Sequence, residues 1–378
     1  MGKPATLSER SPKSTPTGGV FARWFPVPKL LQPRSAGIDI SDASIKWLAF
    51  DPLGGKEKIL SWGEEPLSEG IVVDGIIQDA AALAAALGAV KKKLGGIRYA
   101  HAALPEEAAY VFSMHVPAGS RRDGILSMIE FEFAGRVPIT PAAAVYDFDV
   151  IEKYGSSGEE IGVVVFPREL AETYATAFRM ADIHLLSLEV EARSIARAVS
   201  DISGNEPVTL LVDFGRTRTG FAVLKRGIPI FTSTVAVGGA IMTRLLVEKM
   251  SLEPTAAEEF KNEKGLLSAM GSEKSPEAEA LLSTASALTE EITRHYRYWD
   301  TRRNEQGERV TPVGRVLVVG GSANLKGLPD YIAAKVQASV ERPNVWQNVC
   351  SFDEYIPPFD RRTSLKFATA IGLALRGV

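Results

Sequence analysis

Asp213 ends an apolar run, Val208 to Val212. It leads into a polar turn, Gly215-Arg216-Thr217-Arg218-Thr219, before a second apolar run from Phe221 to Leu224. Two short apolar runs around a Gly/Thr turn predict a β-hairpin. A carboxylate at the end of a buried strand is costly unless something pairs with it. Beside it stand a glycine and two hydroxyls, Thr217 and Thr219. Backbone N–H groups of such a turn cradle phosphate, and an Asp holds Mg²⁺ through water. The same residues also suit an ordinary Asp-led turn. What favours the phosphate chemistry is repetition. The segment Gly37-Ile38-Asp39-Ile40-Ser41-Asp42-Ala43-Ser44-Ile45 repeats the pattern, with Asp39 lying 174 residues before Asp213. Solenoid repeats recur at roughly 20–50 residues. The longer offset suits two similar domains facing each other across a nucleotide, each offering one Asp-ended hairpin.

A third piece, Val316-Leu317-Val318-Val319-Gly320-Gly321-Ser322-Ala323-Asn324, reads as a buried strand, a double glycine and a helix start. Glycines there let a ligand approach the backbone near a helix N-terminus that favours negative charge. In this order the three pieces resemble the actin-like ATPase superfamily: a first phosphate loop, a second phosphate loop and an adenosine loop. The resemblance implies an α/β, actin-like (ribonuclease H-like) two-domain ATPase fold.

The bounds agree. A chain of 378 residues suggests two or more domains, and a net charge of −3 argues against a general nucleic-acid binder. The one cysteine, Cys350, excludes an internal disulfide and fits a reducing compartment, and the four histidines are dispersed. There is no G-x-x-x-x-G-K-[ST], H-E-x-x-H or G-x-S-x-G. Residues 1–34 hold six prolines, six Lys/Arg and one acid, Glu9. They read as a disordered basic tail of charge +5 against −8 for the remainder. Its apolar patch, Phe21 to Leu31, is broken by Arg23, Lys29 and prolines, so it is neither a signal region nor a membrane span. A linker and a weak contact with an anionic membrane surface both remain open.

The elements that must position these loops follow in order. Asp79 is an expected N-cap for a helix with Leu83, Leu87, Val90 and Leu94 on one face, Lys91 to Lys93 at its end and Gly95-Gly96 beyond. From about Arg98 to Leu185 a compact α+β block is expected: strands Tyr99 to Leu104, Tyr110 to Val116, Ala143 to Ile151 and Ile161 to Phe166, with helices Asp123 to Gly135 and Pro167 to Met180. Glu130 and Glu132 point to different helix faces and are not an acid/base pair. Glu189 or Glu191 precedes a helix, where an acid also suits the dipole. Gly238-Gly239 opens a helix to Met250. Thr255 and Glu258 match a capping box. Ser275 caps a long helix that begins at Pro276.

Within the superfamily, the segments Ile129 to Ile139 and Val145 to Phe148, and the ending Phe367-Ala368-Thr369-Ala370-Ile371-Gly372-Leu373-Ala374-Leu375-Arg376-Gly377, resemble the PilM family. This likeness covers about residues 36 to 378. Ile139 and Thr140 stand where Phe-Pro is usual, and Ser41 replaces the glycine of the family's first loop. A Ser Cβ restricts positive φ, so hydrolysis is expected to suffer more than binding. FtsA-like proteins carry an amphipathic helix after a linker, whereas this sequence stops at Val378.

The resemblance implies four parts: the tail (1–34); a first actin-like domain (35–97, 186–206 and 362–378); an inserted extra subdomain (98–185); and a second actin-like domain (207–361, with 241–312 its helical subdomain). ATP and Mg²⁺ are the implied cofactors. Asp39 and Asp213 hold the metal through water. Ser41, Ser44, Lys46, Gly215, Thr217 and Thr219 contact phosphates. Glu258, Lys261, Gly320, Gly321 and Asn324 line the nucleoside. The implied role is a cytoplasmic ATP-binding component of type IV pilus or type II secretion assembly at the inner membrane. It takes the N-terminal peptide of a PilN-like single-span protein, and self-association is a further possibility. The groove walls are expected from the helices at Asp79 and Pro167. An FtsA-like division ATPase, a sugar or acetate kinase, and a nucleotide-free scaffold are the competing classes. A kinase needs a positioned base, and the sequence offers none.

Overall fold

The computed structural model describes residues 33–51, 58–201, 205–268, 276–303 and 309–377. Nearly all of the basic tail, and Ser275 with its expected cap, lie outside the described residues. The chain opens with strands β1 (Ser35–Ile40), β2 (Ser44–Asp51) and β3 (Lys58–Pro66) as an antiparallel meander. A short ribbon, β4 (Val72–Val73) and β5 (Ile76–Ile77), leads to helix α1 (Ala80–Lys93). The Asp79 carboxylate accepts from Ala82 N at 2.9 Å, which caps α1 as expected, and Leu83, Leu87 and Val90 are buried.

Strand β6 (Tyr99–Leu104) follows. Then come β7 (Tyr110–Val116), α2 (Arg122–Arg136), β8 (Ala144–Lys153), β9 (Glu159–Pro167), α3 (Arg168–Met180), β10 (His184–Val190) and α4 (Glu191–Val199). The first sheet has the order β10-β6-β1-β2-β3. β6, expected inside the inserted block, belongs to this sheet because parallel pairing with both β1 and β10 buries every residue after Tyr99. The inserted strands make their own sheet, β7-β9-β8, closed by Ile125, Ile129 and Phe133 of α2.

The second half repeats the plan. It runs through β11 (Val208–Phe214), β12 (Thr219–Lys225), β13 (Ile228–Val235), α5 (Gly239–Met250), α6 (Pro254–Lys264), α7 (Pro276–Thr301), β14 (Val313–Val319), α8 (Leu328–Val336) and β15 (Val340–Glu341). Its sheet order is β13-β12-β11-β14-β15, with the meander antiparallel and β14 parallel to β11, the same arrangement as the first sheet. The Asp repeat therefore marks a repeat of whole sheets, and each Asp stands at the carboxyl end of its sheet's central strand, where open α/β sheets bind ligands.

Helices α9 (Arg361–Lys366) and α10 (Ala368–Ala374) return the chain to the first sheet. Two glycines permit that return. A Cβ on Gly37 would fall 2.2 Å from Ala370 O, and one on Gly372 only 1.7 Å from Ser194 O. The small-residue sequence of α10 thus lies against β1 and α4 at backbone contact distance.

Candidate nucleotide site

Both Asp-led hairpins open into one cleft of about 510 Å³. In the first, Asp39 pairs in register with Lys46, and Lys46 Nζ lies 3.6 Å from Asp39 Oδ2. Burial raises the Asp39 pKa, and Lys46 partly offsets it. In the second, Asp213 pairs in register with Gly220, which has no side chain to offer. Burial, and then the Asp39 charge, push Asp213 up to about 6. A Cβ on Gly320, whose φ is +92°, would fall 2.3 Å from Asp213 Oδ1, so glycine is needed where β14 meets this turn.

The second turn is held by its carbonyls. Gly215 O accepts from Gly239 N at 3.1 Å and from Ser322 Oγ at 2.8 Å, and Arg216 O accepts from Ala240 N at 2.8 Å. The backbone N–H groups of Arg216, Thr217 and Arg218 donate to no other group among the described residues. Three successive donors without a protein acceptor leave this turn able to receive an anion.

The sequence-predicted residues divide in three. Asp39, Ser41, Ser44, Lys46, Asp213, Gly215, Thr217, Gly320 and Gly321 line the cleft together. Glu258, Lys261 and Asn324 line an adjoining cavity of about 720 Å³ that shares Arg216, Gly321 and Lys366 with the cleft. Thr219 does neither. It is fully buried and its hydroxyl donates to Val237 O, because strand alternation turns it away from the side that Gly220 and Asp213 face. Two other hydroxyls are already engaged: Ser44 Oγ donates to Glu64 Oε1 at 2.8 Å, and Ser41 Oγ to Ser44 O at 3.0 Å. Ser41 does not adopt positive φ, so its Cβ meets no backbone strain here.

The expected capping box at Thr255 is also corrected. Pro254 occupies the first turn of α6, Glu253 is the N-cap, and no side chain caps the helix. The Glu258 carboxylate instead accepts from Lys261 Nζ at 2.7 Å and Thr243 Oγ1 at 2.6 Å. Burial lowers the Lys261 pKa, with Glu258 opposing. Asn324 Nδ2 donates to Arg362 O at 2.8 Å, while its Oδ1 is buried without a partner.

The fold brings in four further groups: Glu64 and Glu106 go unread in the sequence, Glu191 reads beside Glu189 as an acid suited to a helix dipole, and Arg218 only as part of the turn. Glu106 accepts from Ala192 N at 2.8 Å, and burial, then Asp213, push its pKa well up. Glu191 is likewise raised, by burial and then by Asp39. Burial opposes ionisation of Glu64, but hydrogen bonds from Lys366 and Ser44 hold it below the usual range. Arg218 crosses to Asp42 and Glu107.

A third cavity, about 370 Å³, lies between the edge strands β8 and β10. Val145, Phe148, Phe166, Leu188 and Ile228 supply apolar wall, with Arg193 and Arg376 beside them. Of the two helices expected as walls, α3 contributes only Ala171 and α1 nothing. Their apolar faces are spent on the first core, where Leu83, Leu87, Tyr174 and Phe178 meet.

A profile of the family described as type IV pilus assembly protein PilM matches residues 37–378. The chain belongs to the PilM family. Solved structures share its fold. A PilM-PilN type IV pilus biogenesis complex is 21% identical and covers 92% of this chain and 99% of that one, at a TM-score of 0.74. The ethanolamine utilization protein EutJ from Carboxydothermus hydrogenoformans is 17% identical, covering 92% and 91%, at 0.54. MreB5 of Spiroplasma citri bound to ADP is 12% identical, covering 92% and 96%, at 0.52. The PilM family member described here therefore has the actin-like two-domain α/β fold, and among its described residues no helix is long and apolar enough to cross a membrane.

Proposed function

We propose that this chain is a nucleotide-binding component of a type IV pilus or related type II secretion assembly complex, with ATP and Mg²⁺ as its ligands. The observation that carries this reading is that both Asp turns, with the unpartnered N–H groups of Arg216 to Arg218, line one cleft. The phosphates would lie on that second turn and near Lys46. The purine would lie toward Glu258, Lys261 and Asn324. Among the described residues no three His, Cys, Asp or Glu side chains converge on a metal by themselves. A cation here would take most of its oxygen ligands from phosphate and water, which suits Mg²⁺. Bound Mg²⁺ would neutralise phosphate charge, and Asp39 and Asp213 would hold its waters. Turnover is expected far below the typical enzyme value of roughly 10 s⁻¹. Burial keeps Glu106 and Glu191 toward the protonated form, in which neither can accept a proton from water. A phosphate-release assay that reached the typical rate would refute slow turnover.

The second half of the proposal concerns the partner. The groove between β8 and β10 is a concave apolar slot between two unpaired strand edges, with few polar anchors. A short peptide that must lose chain entropy on binding needs such a slot. We assign it to the cytoplasmic N-terminal peptide of a PilN-like single-span protein, which would hold this chain at the inner face of the membrane. On this reading the inserted subdomain is β7 to β9 with α2. Fluorescence anisotropy of the labelled peptide should show saturable binding that Phe148→Asp abolishes. Retained binding in that variant would place the peptide elsewhere.

A further inference from the structure

Arg218 stands in the turn of the second hairpin but spends its guanidinium on the first half of the molecule. Its two terminal nitrogens donate to the two Asp42 oxygens at 3.3 Å each, and its Nε pairs with Glu107. Asp42 lies in the turn between β1 and β2, and Glu107 follows β6. The guanidinium therefore spans the cleft. Its side chain is only 16% exposed. Its own N–H is the last of the turn's three unpartnered donors, so an anion bound to that turn would lie beside this cation. Phosphate and the two carboxylates compete for one charge.

The existing contacts suggest which side yields. Charge-assisted pairs settle at about 2.7–2.9 Å, and the forked contact to Asp42 is longer, at 3.3 Å on both arms. Asp42 also accepts from Gly75 N at 3.0 Å, so its carboxylate keeps a partner if the arginine leaves. Glu107 is the tighter hold, and burial raises its pKa while the Arg218 charge lowers it. An extra phosphate placed between Asp42 and Glu107 without a cation would face two like charges.

We propose that Arg218 reads the terminal phosphate of a nucleoside triphosphate. It exchanges Asp42 and Glu107 for that phosphate, so a triphosphate, and not a diphosphate, releases the second turn from the first half of the molecule. This rests on the nucleotide reading above. The preference for ATP over ADP then comes from Arg218, and the strength of triphosphate binding is held down by its two carboxylate partners.

The test is calorimetric titration of the full chain with Mg-ATP and with Mg-ADP. The wild type should prefer ATP by about 10-fold or more. Arg218→Gln should bring the two affinities within about 2-fold, mainly by weakening ATP. The paired change Asp42→Asn with Glu107→Gln should tighten ATP about 10-fold, since the guanidinium starts free, a change of about 1.4 kcal/mol. An unchanged ATP-to-ADP ratio in Arg218→Gln overturns the proposal while leaving the nucleotide reading intact. No binding of either nucleotide by the folded wild type overturns both. If Arg218→Gln fails the circular-dichroism check of folding, the paired variant decides: ATP affinity no better than wild type overturns the proposal.

Discussion

In the β1–β2 hairpin Asp39 faces Lys46 across the ladder, whereas in the β11–β12 hairpin the equivalent partner of Asp213 is Gly220. The two turns share register, strand order and position at the carboxyl end of a central strand. They differ in charge balance. Lys46 offsets part of the burial cost at Asp39. At Asp213 the space left by Gly220 is taken by Glu106, whose Oε2 would lie 2.6 Å from a Cβ there. An acid thus sits where its counterpart has a cation. The first hairpin sets a cation against its carboxylate, and the second keeps two buried carboxyl groups, both pushed toward the neutral form, beside the turn's unpartnered N–H groups.

The largest effect that could break this comparison comes from Lys46→Ala. It would leave Asp39 buried without its cation and cost about 3 kcal/mol. Denaturant unfolding should show it, and a loss below about 0.5 kcal/mol would mean that the pair is not what balances the first hairpin. The opposite sign is expected at the second hairpin. The folded pKa of Asp213 is about 6 against an ordinary value of 3.8, so its ionised form is disfavoured by folding. Stability is therefore lost as pH rises through that window, and the full penalty stands above it. Asp213→Asn should stabilise the nucleotide-free protein at pH 8 by about 2 kcal/mol, with the gain gone near pH 4. Melting temperatures at the two pH values check this, and no gain at pH 8 would contradict it.

Smaller effects sharpen the picture. Gly220→Ala should cost about 1 kcal/mol, because the new Cβ displaces Glu106 from its hydrogen bond to Ala192 N. A neutral result in thermal unfolding would mean that Glu106 moves freely. Ser44→Ala removes one hydrogen bond to Glu64 and should cost about 0.5 kcal/mol, near the limit of such a measurement.

The Asp hairpins, the double glycine and the helix capped by Asp79 were legible in the sequence because each is a local pattern of a few residues. Two similar domains followed from the repeat, and their sheet architecture from the family resemblance. Two errors had signals that local reading could have used. Register puts Thr219 on the face opposite Gly220, and Pro254 marks the first turn of α6 one residue ahead of Thr255. The rest is tertiary. Nothing near Glu106 or Glu191 in the chain says that they share a cleft with Asp39, and the turn sequence does not say that Arg218 reaches across it. Periodicity likewise identifies the apolar faces of α1 and α3 but not that each is spent on the other, leaving the groove to strand edges.

The central claim is that the two Asp turns bind one nucleotide between them. Calorimetric titration of the folded full chain with Mg-ATP, for the wild type and Asp213→Ala, tests it most directly. The account predicts saturable one-site binding that the substitution weakens about 100-fold, or about 2.7 kcal/mol. A flat titration for the wild type, or equal affinity in the two proteins, would contradict it.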